Sequence, residues 1–334
     1  MLKKNKVYII AEIGNNHNGD LTLAKKSIKA AAQSGADAVK FQSYITDEFM
    51  ADQSIKYTYK TNQGSVTENM YKMFKKLEFK DEWYSILSQY CKKLKIDFLS
   101  SAAHIQAAKI LKKIGSKAIK IASEDIINYP LLEMISKLNK RVILSTGMAD
   151  QTEIDKAVLV LKKIKHKLIL LHCVSLYPTL EKEVNLNRIA ALKKRYKLPI
   201  GFSDHTLGIK ASVASIVLGT CMIEKHFTLN KKLKGPDHSL SLDPKEFKKM
   251  VLEIRRAERM MGKIKIYPNK REIKIGRKHR RSIVANQMIE KGTKITKRMV
   301  TLKRPGTGLH PIYMDRLIGK KSKKKYYKNQ QIKF

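Results

Sequence analysis

Charged and polar residues stand at the ends of short apolar runs, where they could carry out metal and acid–base chemistry. His205 and His226 each end such a run. Two imidazoles with water and substrate oxygens suit an octahedral Mn²⁺ or Mg²⁺ better than a tetrahedral Zn²⁺. Lys40 and Lys120 lie within apolar runs, so their ammonium groups must face something anionic. Glu12 ends the first run and is the best candidate for a base or a group that orients water.

The runs that carry these residues recur along the chain, and a longer helical pattern follows each one. This alternation is typical of parallel strands joined by helices. The predicted strands are Val7–Glu12, Ala38–Gln42, Asp97–Ser101, Ala118–Ala122, Arg141–Ser145, Leu168–His172, Ile200–Ser203 and Met222–His226. Eight such units predict a (β/α)8 TIM barrel of the α/β class, whose active site lies at the carboxyl ends of the strands.

The alternation stops after Gly262, which suggests a second, smaller domain. We predict a barrel domain over residues 1–265, a basic linker over 266–280 and a small β-rich domain over 281–334. The last segment has few apolar residues. We therefore expect it to be marginal as an independent fold and to dock on a larger surface.

Composition limits the possible classes of protein. The 334 residues carry a formal net charge of +40, spread along the chain rather than gathered in one arm. A basic, non-catalytic nucleic-acid-binding protein is therefore the weaker alternative, and we expect no specific nucleic-acid partner. No apolar run reaches the roughly 18–20 residues that span a membrane, and we expect Met1–Lys4 not to begin a signal peptide. The cysteines Cys91, Cys173 and Cys221 are widely separated, which fits a reducing cytoplasm.

Motifs along almost the whole chain resemble those of the N-acetylneuraminate (sialic acid) synthases. They are Ala11–Asp20, Val39–Gln42, Leu144–Met148, Leu171–Cys173, Tyr177–Thr179, Gly201–Thr206, Ile223–Thr228 and Gly235–His238. The tail segment Lys303–Gly308 resembles the motif of the antifreeze-like (SAF) domain that ends these enzymes. The resemblance implies a TIM barrel followed by a SAF domain. It also implies a domain-swapped homodimer in which each SAF domain closes the active site of the other subunit.

The reaction that the resemblance implies joins phosphoenolpyruvate to N-acetylmannosamine. The C3 carbon of phosphoenolpyruvate attacks the open-chain aldehyde, water adds at C2, and phosphate leaves by C–O cleavage to give N-acetylneuraminate. A Lewis acid on the aldehyde oxygen assists such chemistry. The resemblance implies Mn²⁺ at His205 and His226, with Mg²⁺ or Co²⁺ as alternatives.

The resemblance also assigns roles to individual residues. Those expected to bind phosphoenolpyruvate are Lys40, Ser101, Lys120, Ser123, Ser145, Ser175 and Ser203. Those expected to contact the sugar are Gln42, Tyr177, Asp237 and Arg304, the last reaching over from the SAF domain to the N-acetyl group. Glu12 and Asp125 are the expected catalytic carboxyl groups, and a one-residue slip of the alignment would put Glu124 in place of Asp125.

Three departures from the family pattern leave the acceptor sugar open, one of them being Ser175 in place of an asparagine on the phosphoenolpyruvate side. Ser100-Ser101-Ala102-Ala103 stands where Ser-Thr-Pro-Phe is common, and Ser123-Glu124-Asp125 stands where Ser-Gly-Glu is frequent. We expect an N-acetylneuraminate synthase. The alternative is a legionaminate or pseudaminate synthase that uses a diacetamido-trideoxyhexose.

Overall fold

A computed structural model describes residues 1–2, 6–61 and 64–333 of the chain. Lys3 and Lys4 of the amino-terminal segment, which we expect not to begin a signal peptide, lie outside the described ranges. So does Phe334, the last residue of the predicted tail domain. The contacts divide the chain into two compact units, Met1–Gly262 and Lys263–Phe334.

The strands that form the barrel agree closely with those predicted from the sequence. The strands of the described residues are β1 (Tyr8–Gly14), β2 (Ala38–Ser43), β3 (Lys56–Thr61), β4 (Gly64–Asn69), β5 (Asp97–Ala102), β6 (Ile119–Ile121), β7 (Val142–Ser145), β8 (Leu168–Cys173), β9 (Ile200–Asp204), β10 (Met222–His226), β11 (Ser282–Ala285) and β12 (Val300–Lys303). Eight of them close into a parallel barrel in the order β1-β2-β5-β6-β7-β8-β9-β10. The predicted (β/α)8 barrel is confirmed.

Helices follow the barrel strands and cover the outside of the barrel. The α-helices of the described residues are α1 (Leu21–Gln33), α2 (Thr46–Phe49), α3 (Met70–Leu77), α4 (Asp81–Lys93), α5 (Ile105–Lys113), α6 (Tyr129–Lys137), α7 (Gln151–Val160), α8 (Asn187–Tyr196), α9 (Lys210–Ser215), α10 (Pro244–Met261), α11 (Lys270–His279) and α12 (Met314–Leu317). In the part of the chain that the structure describes, none is both long and apolar enough to cross a membrane.

The alternation of side chains along each strand explains why the polar residues gather at one end of the barrel. A buried apolar layer inside the barrel includes Ile10, Leu99 and Ile143. Successive side chains of a strand point to opposite faces, so the residue two places further on faces inward again. Those residues are polar, for example Glu12 after Ile10 and Ser145 after Ile143. The barrel therefore has an apolar floor and a polar upper layer.

The described part of the segment between β2 and helix α4 forms regular secondary structure. It contains helix α2, then the antiparallel hairpin of β3 and β4, and then helix α3. The aromatic rings of Tyr57 and Tyr59 lie on one face of β3 and stack with centroids 5.8 Å apart. The hairpin is thus a folded insertion between the second strand and second long helix of the barrel.

The unit Lys263–Phe334 contains a small antiparallel pair, β11 with β12, and a core of its own. The buried residues of that core are Ile283, Ala285, Ile289, Ile295, Val300, Leu317, Tyr326 and Ile332. The few apolar residues of the tail are spread singly over short segments but converge in space into a small core. The expectation that the tail is marginal as an independent fold stays a prediction.

The segment 266–280, predicted as a linker, includes helix α11. Asn269 accepts hydrogen bonds from the backbone N–H groups of Arg271 and Glu272, and the carboxylate of Glu272 accepts one from the N–H of Asn269. This reciprocal cap stabilises the first turn of a helix that has no buried residue. The helix therefore forms in a segment whose apolar pattern does not indicate it.

Candidate active site

The register of the barrel strands places the predicted site residues in one layer. Glu12 lies opposite Lys40 of β2 on one side and opposite His226 of β10 on the other. Ser101 of β5 lies opposite Lys120 of β6. Residues from different parts of the chain thus meet at the carboxyl ends of the strands, where TIM barrels bind their substrates.

Two lysines and two glutamates form a buried charge cluster in this layer. The Nζ atom of Lys40 lies 2.8 Å from Oε2 of Glu12 and 3.9 Å from Oε1 of Glu224. The Nζ atom of Lys120 lies 3.7 Å from the same Glu224 oxygen and donates a hydrogen bond of 2.7 Å to Oγ of Ser145. Both lysines are only 3% exposed. Burying charged side chains costs free energy unless they are paired, and these four are paired with one another. Such a cluster at the carboxyl ends of the strands indicates a functional site rather than a solvated surface.

The two glutamates of the cluster differ in proton affinity. Burial raises the pKa of Glu12 to about 7, although the charge of Lys40 opposes the shift. Burial also acts to raise the pKa of Glu224, but Lys120 and Lys40 outweigh it and hold that pKa below its usual value. Ser203 adds a hydrogen bond of 3.0 Å to Glu224. Glu224 is therefore the permanent anion, and Glu12 is the carboxyl group that can exchange a proton near neutral pH.

The backbone around Glu12 is shaped to hold its carboxylate. Gln42 donates a hydrogen bond of 3.0 Å from Nε2 to Oε1 of Glu12, and Asn15 holds Gln42 in turn with a hydrogen bond of 3.2 Å. The pairing of β1 with β2 shifts register between Glu12 and Gly14. A Cβ atom on Gly14 would lie 2.8 Å from Oε1 of Glu12, and its φ of +51° also favours glycine.

Two of the predicted serines lie on either side of Gly147. The backbone N–H of Gly147 donates a hydrogen bond of 3.1 Å to Oγ of Ser123. A Cβ atom on Gly147 would collide with Oγ of Ser175 and lie 2.6 Å from Oγ of Ser123. The absence of a side chain at Gly147 thus leaves room for both hydroxyl groups beside the charge cluster.

The imidazoles of His205 and His226 lie side by side, with ring centroids 5.4 Å apart. Nδ1 of His205 donates a hydrogen bond of 2.7 Å to the carbonyl oxygen of Val174, which leaves Nε2 available as a ligand. Oδ2 of Asp237 lies 3.7 Å from Nδ1 of His226. The ring of Tyr177 packs against His205 with a centroid distance of 4.2 Å.

The two histidines have the properties of a partial metal site. Burial, together with the neighbouring His205, lowers the pKa of His226 well below its usual value, so its imidazole is neutral as metal binding requires. Burial would also lower the pKa of His205, but the neighbouring Cys173 outweighs it and raises that pKa, so a metal ion competes with a proton at His205. Nδ1 of His226 is buried without a hydrogen-bond partner. Among the described residues, no three His, Cys, Asp or Glu side chains are grouped to hold a metal ion by themselves. The pair thus fits a divalent ion that takes its other ligands from substrate and water.

The adjacent carboxyl groups of Glu124 and Asp125 face different surroundings. Asp125 is half-buried, accepts a hydrogen bond of 3.4 Å from Asn128, and lines a cavity of about 390 Å³ together with His104. Burial raises the pKa of Asp125 to about 6. Glu124 is exposed. Burial would lower the pKa of Lys40, but the neighbouring carboxylates, Glu124 among them, raise it, so the field of Glu124 reaches the charge cluster.

Arg304 belongs to the second unit and is exposed just after β12. The next residue is held firmly, since the carbonyl oxygen of Pro305 accepts hydrogen bonds from Ser282 at 2.6 Å and from Gln331 at 3.2 Å. The turn therefore presents an exposed guanidinium group next to an anchored backbone.

Sequence reasoning overlooked two residues of this region. Glu224 lies two places before His226 on β10 and so faces the same side, a spacing that would have identified it. Tyr57 of the hairpin is the second. Burial raises its pKa and the charge of Asp237 adds to the shift, and the backbone of the same hairpin accepts a hydrogen bond of 2.7 Å at Lys60 from Ser239, two residues after Asp237. Nothing in the sequence pattern indicated that the hairpin approaches the site.

Comparisons with known proteins agree with this architecture. The model of the NeuB family matches residues 27–266, and the model of the SAF domain matches residues 280–334. The small β-rich domain predicted at the end of the chain is therefore confirmed as a SAF domain. An N,N'-diacetyllegionaminic acid synthase of Campylobacter jejuni is 41% identical over 98% of this chain and 99% of its own length.

More distant relatives and solved structures extend the likeness. The human N-acetylneuraminate-9-phosphate synthase is 34% identical over 94% of this chain and 88% of its own. The crystal structure of an N-acetylneuraminic acid synthetase from Leptospira borgpetersenii superposes with a TM-score of 0.74 at 38% identity. That match covers 82% of this chain and 92% of the other.

Proposed function

The chain belongs to the NeuB family, and on that premise we propose that it condenses phosphoenolpyruvate with the open-chain aldehyde of an N-acetylated amino sugar. It is an enzyme, a transferase of the type that condenses phosphoenolpyruvate. One observation carries the proposal: Lys40 and Lys120 are buried together at the carboxyl ends of the strands, within 4 Å of the same carboxylate. A substrate with a phosphate and a carboxylate is the ligand that such a pair of ammonium groups favours.

The serines beside the lysines complete the proposed phosphoenolpyruvate site. Their hydroxyl groups donate hydrogen bonds to phosphate or carboxylate oxygens. The serines concerned are Ser101, Ser123, Ser145, Ser175 and Ser203.

Glu12 is the proposed proton-transfer group. Its carboxyl group is held by Gln42 and Lys40 and titrates near neutral pH. In its ionised form it can accept the proton of the water that adds at C2 as the C–C bond forms and phosphate leaves. Glu224, whose pKa is held low, keeps the lysines in place and stays ionised.

His205 and His226 are the proposed metal ligands. The synthases of this family are metal-dependent, and we propose Mn²⁺ as the metal, with Mg²⁺ or Co²⁺ as alternatives, because nitrogen donors with open oxygen positions suit these ions. A metal ion bound there would polarise the aldehyde oxygen of the acceptor. The hydrogen bond to Val174 keeps His205 in the tautomer whose Nε2 is free, and the low pKa of His226 keeps it neutral.

The acceptor that we propose is a diacetamido-trideoxyhexose of the legionaminate type. The legionaminic acid synthase of Campylobacter jejuni is 41% identical to the chain, against 34% for the human neuraminate 9-phosphate synthase. The relatives thus support the alternative better than the N-acetylneuraminate synthase that we expected. Gln42, Tyr177 and Asp237 would contact this sugar. Asp125, or Glu124 in its place, would add the further carboxylate, because the charge of Lys120 acts on Asp125 and that of Glu124 acts on Lys40.

We further propose a domain-swapped homodimer in which Arg304 of each SAF domain reaches the acceptor bound to the other subunit. An arginine is always charged and offers a fork of donors, so it can hold an acetamido oxygen at any physiological pH. A cytoplasmic location is the proposal that fits the three separated cysteines.

A panel of acceptors tests the proposed substrate. We expect phosphate release from phosphoenolpyruvate with Mn²⁺ to have its highest kcat/KM with 2,4-diacetamido-2,4,6-trideoxymannose, and a value at least about tenfold lower with N-acetylmannosamine, which lacks an acetamido group that the site would bind. Higher kcat/KM with N-acetylmannosamine would contradict the acceptor but leave the reaction class intact. No phosphate release with any N-acetylated amino sugar would contradict the reaction itself.

A further inference from the structure

A second buried ion pair lies directly behind the two histidines, on the outer side of the same strands. Oδ2 of Asp204 lies 3.1 Å from Nζ of Lys225, and the two side chains are 0% and 1% exposed. The residues are opposite each other in the pairing of β9 with β10. Because neighbouring residues along a strand face opposite sides, this pair faces the surrounding helices, whereas His205 and His226 face the inside of the barrel.

Asp204 holds the backbone that follows His205. Its Oδ1 atom accepts hydrogen bonds of 2.8 Å from both the backbone N–H and the hydroxyl of Thr206. Its Oδ2 atom accepts a hydrogen bond of 2.5 Å from Ser212 of helix α9. The single carboxylate thus joins the end of β9, the turn after it and the next helix.

Lys225 holds the same turn from the neighbouring strand. Its Nζ donates a hydrogen bond of 2.5 Å to the carbonyl oxygen of Thr206. The backbone N–H of Thr179 donates one of 3.0 Å to the carbonyl oxygen of His205. The peptide groups around His205 are therefore fixed from three directions, and Lys225 itself directly precedes His226.

We propose that Asp204 and Lys225 are positioning residues that set the distance between the imidazoles of His205 and His226 for metal binding. A buried ion pair contributes little net stability, because desolvation offsets the attraction between the charges. Its geometric effect is larger, because each member is adjacent in sequence to one histidine and the pair ties the two strands together. This inference rests on the proposed metal site.

The affinity of metal-free protein for Mn²⁺ alone tests this role. The EPR signal of free Mn²⁺ disappears on binding, so the affinity is measured without turnover. We expect Asp204→Asn, which keeps the shape but removes the charge, to weaken Mn²⁺ binding by about 10-fold to 100-fold, the range found for residues that orient metal ligands. Binding of phosphoenolpyruvate to the metal-free protein should change by less than about twofold, since Lys40 and Lys120 lie on other strands.

A matched control separates positioning from a loss of stability. Asp37 forms a part-buried ion pair with Arg255, with a distance of 2.9 Å. Asp37 directly precedes β2, so it lies at the amino ends of the barrel strands, whereas the histidines lie at the carboxyl ends. Asp37→Asn should lower the melting temperature without weakening Mn²⁺ binding. If Asp204→Asn behaves in the same way, the pair is merely structural and the inference is wrong.

A double variant covers the case in which Asp204→Asn does not fold. Asp204→Asn with Lys225→Met removes both charges, and such neutral replacements often restore stability. We expect its melting temperature to recover while Mn²⁺ binding stays at least about tenfold weaker than in the unmodified protein. Recovery of Mn²⁺ affinity together with stability would overturn the inference. If the unmodified protein does not bind Mn²⁺ at all, the proposed metal site fails as well, so the two failures are distinguishable.

Discussion

Glu12 and Glu224 belong to the same buried charge cluster, yet their pKa values shift in opposite directions. Glu224 lies within 4 Å of both Lys40 and Lys120, which hold its pKa low, whereas burial raises the pKa of Glu12 to about 7 against the effects of Lys40 and Gln42. Pairs of carboxyl groups with separated pKa values divide acid–base roles between them. The structure thus distinguishes two glutamates that are equivalent in the sequence pattern.

Glu12→Gln tests the role of the carboxyl group that titrates. The amide keeps the size of the side chain but cannot accept a proton, so we expect kcat to fall by about 10²-fold to 10⁴-fold. Because the ionised form is the active base, kcat/KM of the unmodified enzyme, which follows the pKa of the free protein, should fall as pH drops below about 7, and the residual activity of the variant should lack this limb. A variant with the same pH profile as the unmodified enzyme would exclude Glu12 as the base.

His226→Ala tests the metal site at the level of one residue. Removal of one of two imidazoles should abolish Mn²⁺ binding and turnover without unfolding the barrel, because His226 lies at the carboxyl end of β10, in the polar layer above the apolar floor of the barrel. Circular dichroism serves as the control for folding. Activity of His226→Ala in the presence of a chelator would show that the reaction does not need a metal held there.

The loops after the strands depend on small residues as much as on charged ones. Gly147 follows β7 and lies between the hydroxyl groups of Ser123 and Ser175. Gly147→Ala should displace both and raise KM for phosphoenolpyruvate more than KM for the sugar. The cost should be about 1–3 kcal/mol if hydrogen bonds to a charged group are lost. The matched control is Gly276→Ala in helix α11, where nothing comes closer than 3.4 Å to the added Cβ atom. An unchanged KM for phosphoenolpyruvate in Gly147→Ala would contradict the proposed role of the two serines.

The elements that could be predicted are those whose pattern repeats. Strands such as Met222–His226 are apolar runs between helical segments, and their bounds were predicted to within about two residues. The hairpin of β3 and β4 was not predicted, because its residues are mostly exposed and polar, and the alternation of Tyr57 and Tyr59 in β3 has no apolar counterpart in β4. Helix α11 forms on capping and helix propensity rather than on burial. At the site, the positions of polar residues at the strand ends could be predicted from the strand pattern. The approach of the β3–β4 hairpin to the site, and the different surroundings of Glu124 and Asp125, depend on loops and could not.

At the scale of the whole molecule, the proposed swapped dimer predicts complementation between damaged subunits. Arg304→Ala should raise KM for the sugar, at a cost of about 1.5–3 kcal/mol for one charge-assisted hydrogen bond, and leave KM for phosphoenolpyruvate nearly unchanged. When Arg304→Ala subunits are mixed with His205→Ala subunits under conditions that exchange them, each mixed dimer should regain one intact site. Mixtures that regain no activity would show that each tail serves its own barrel or none.

The central claim, that the polar layer of the barrel joins phosphoenolpyruvate to an amino-sugar aldehyde, is tested most directly by isotope transfer. Phosphoenolpyruvate labelled with ¹⁸O at the oxygen that joins C2 to phosphorus is incubated with the protein, Mn²⁺ and 2,4-diacetamido-2,4,6-trideoxymannose. The masses of the products are then measured by mass spectrometry. C–O cleavage predicts that the label leaves in the phosphate, that the nine-carbon product is unlabelled, and that no phosphate forms without the sugar. Label retained in the organic product, or phosphate released at the same rate without an acceptor, would contradict the proposed reaction.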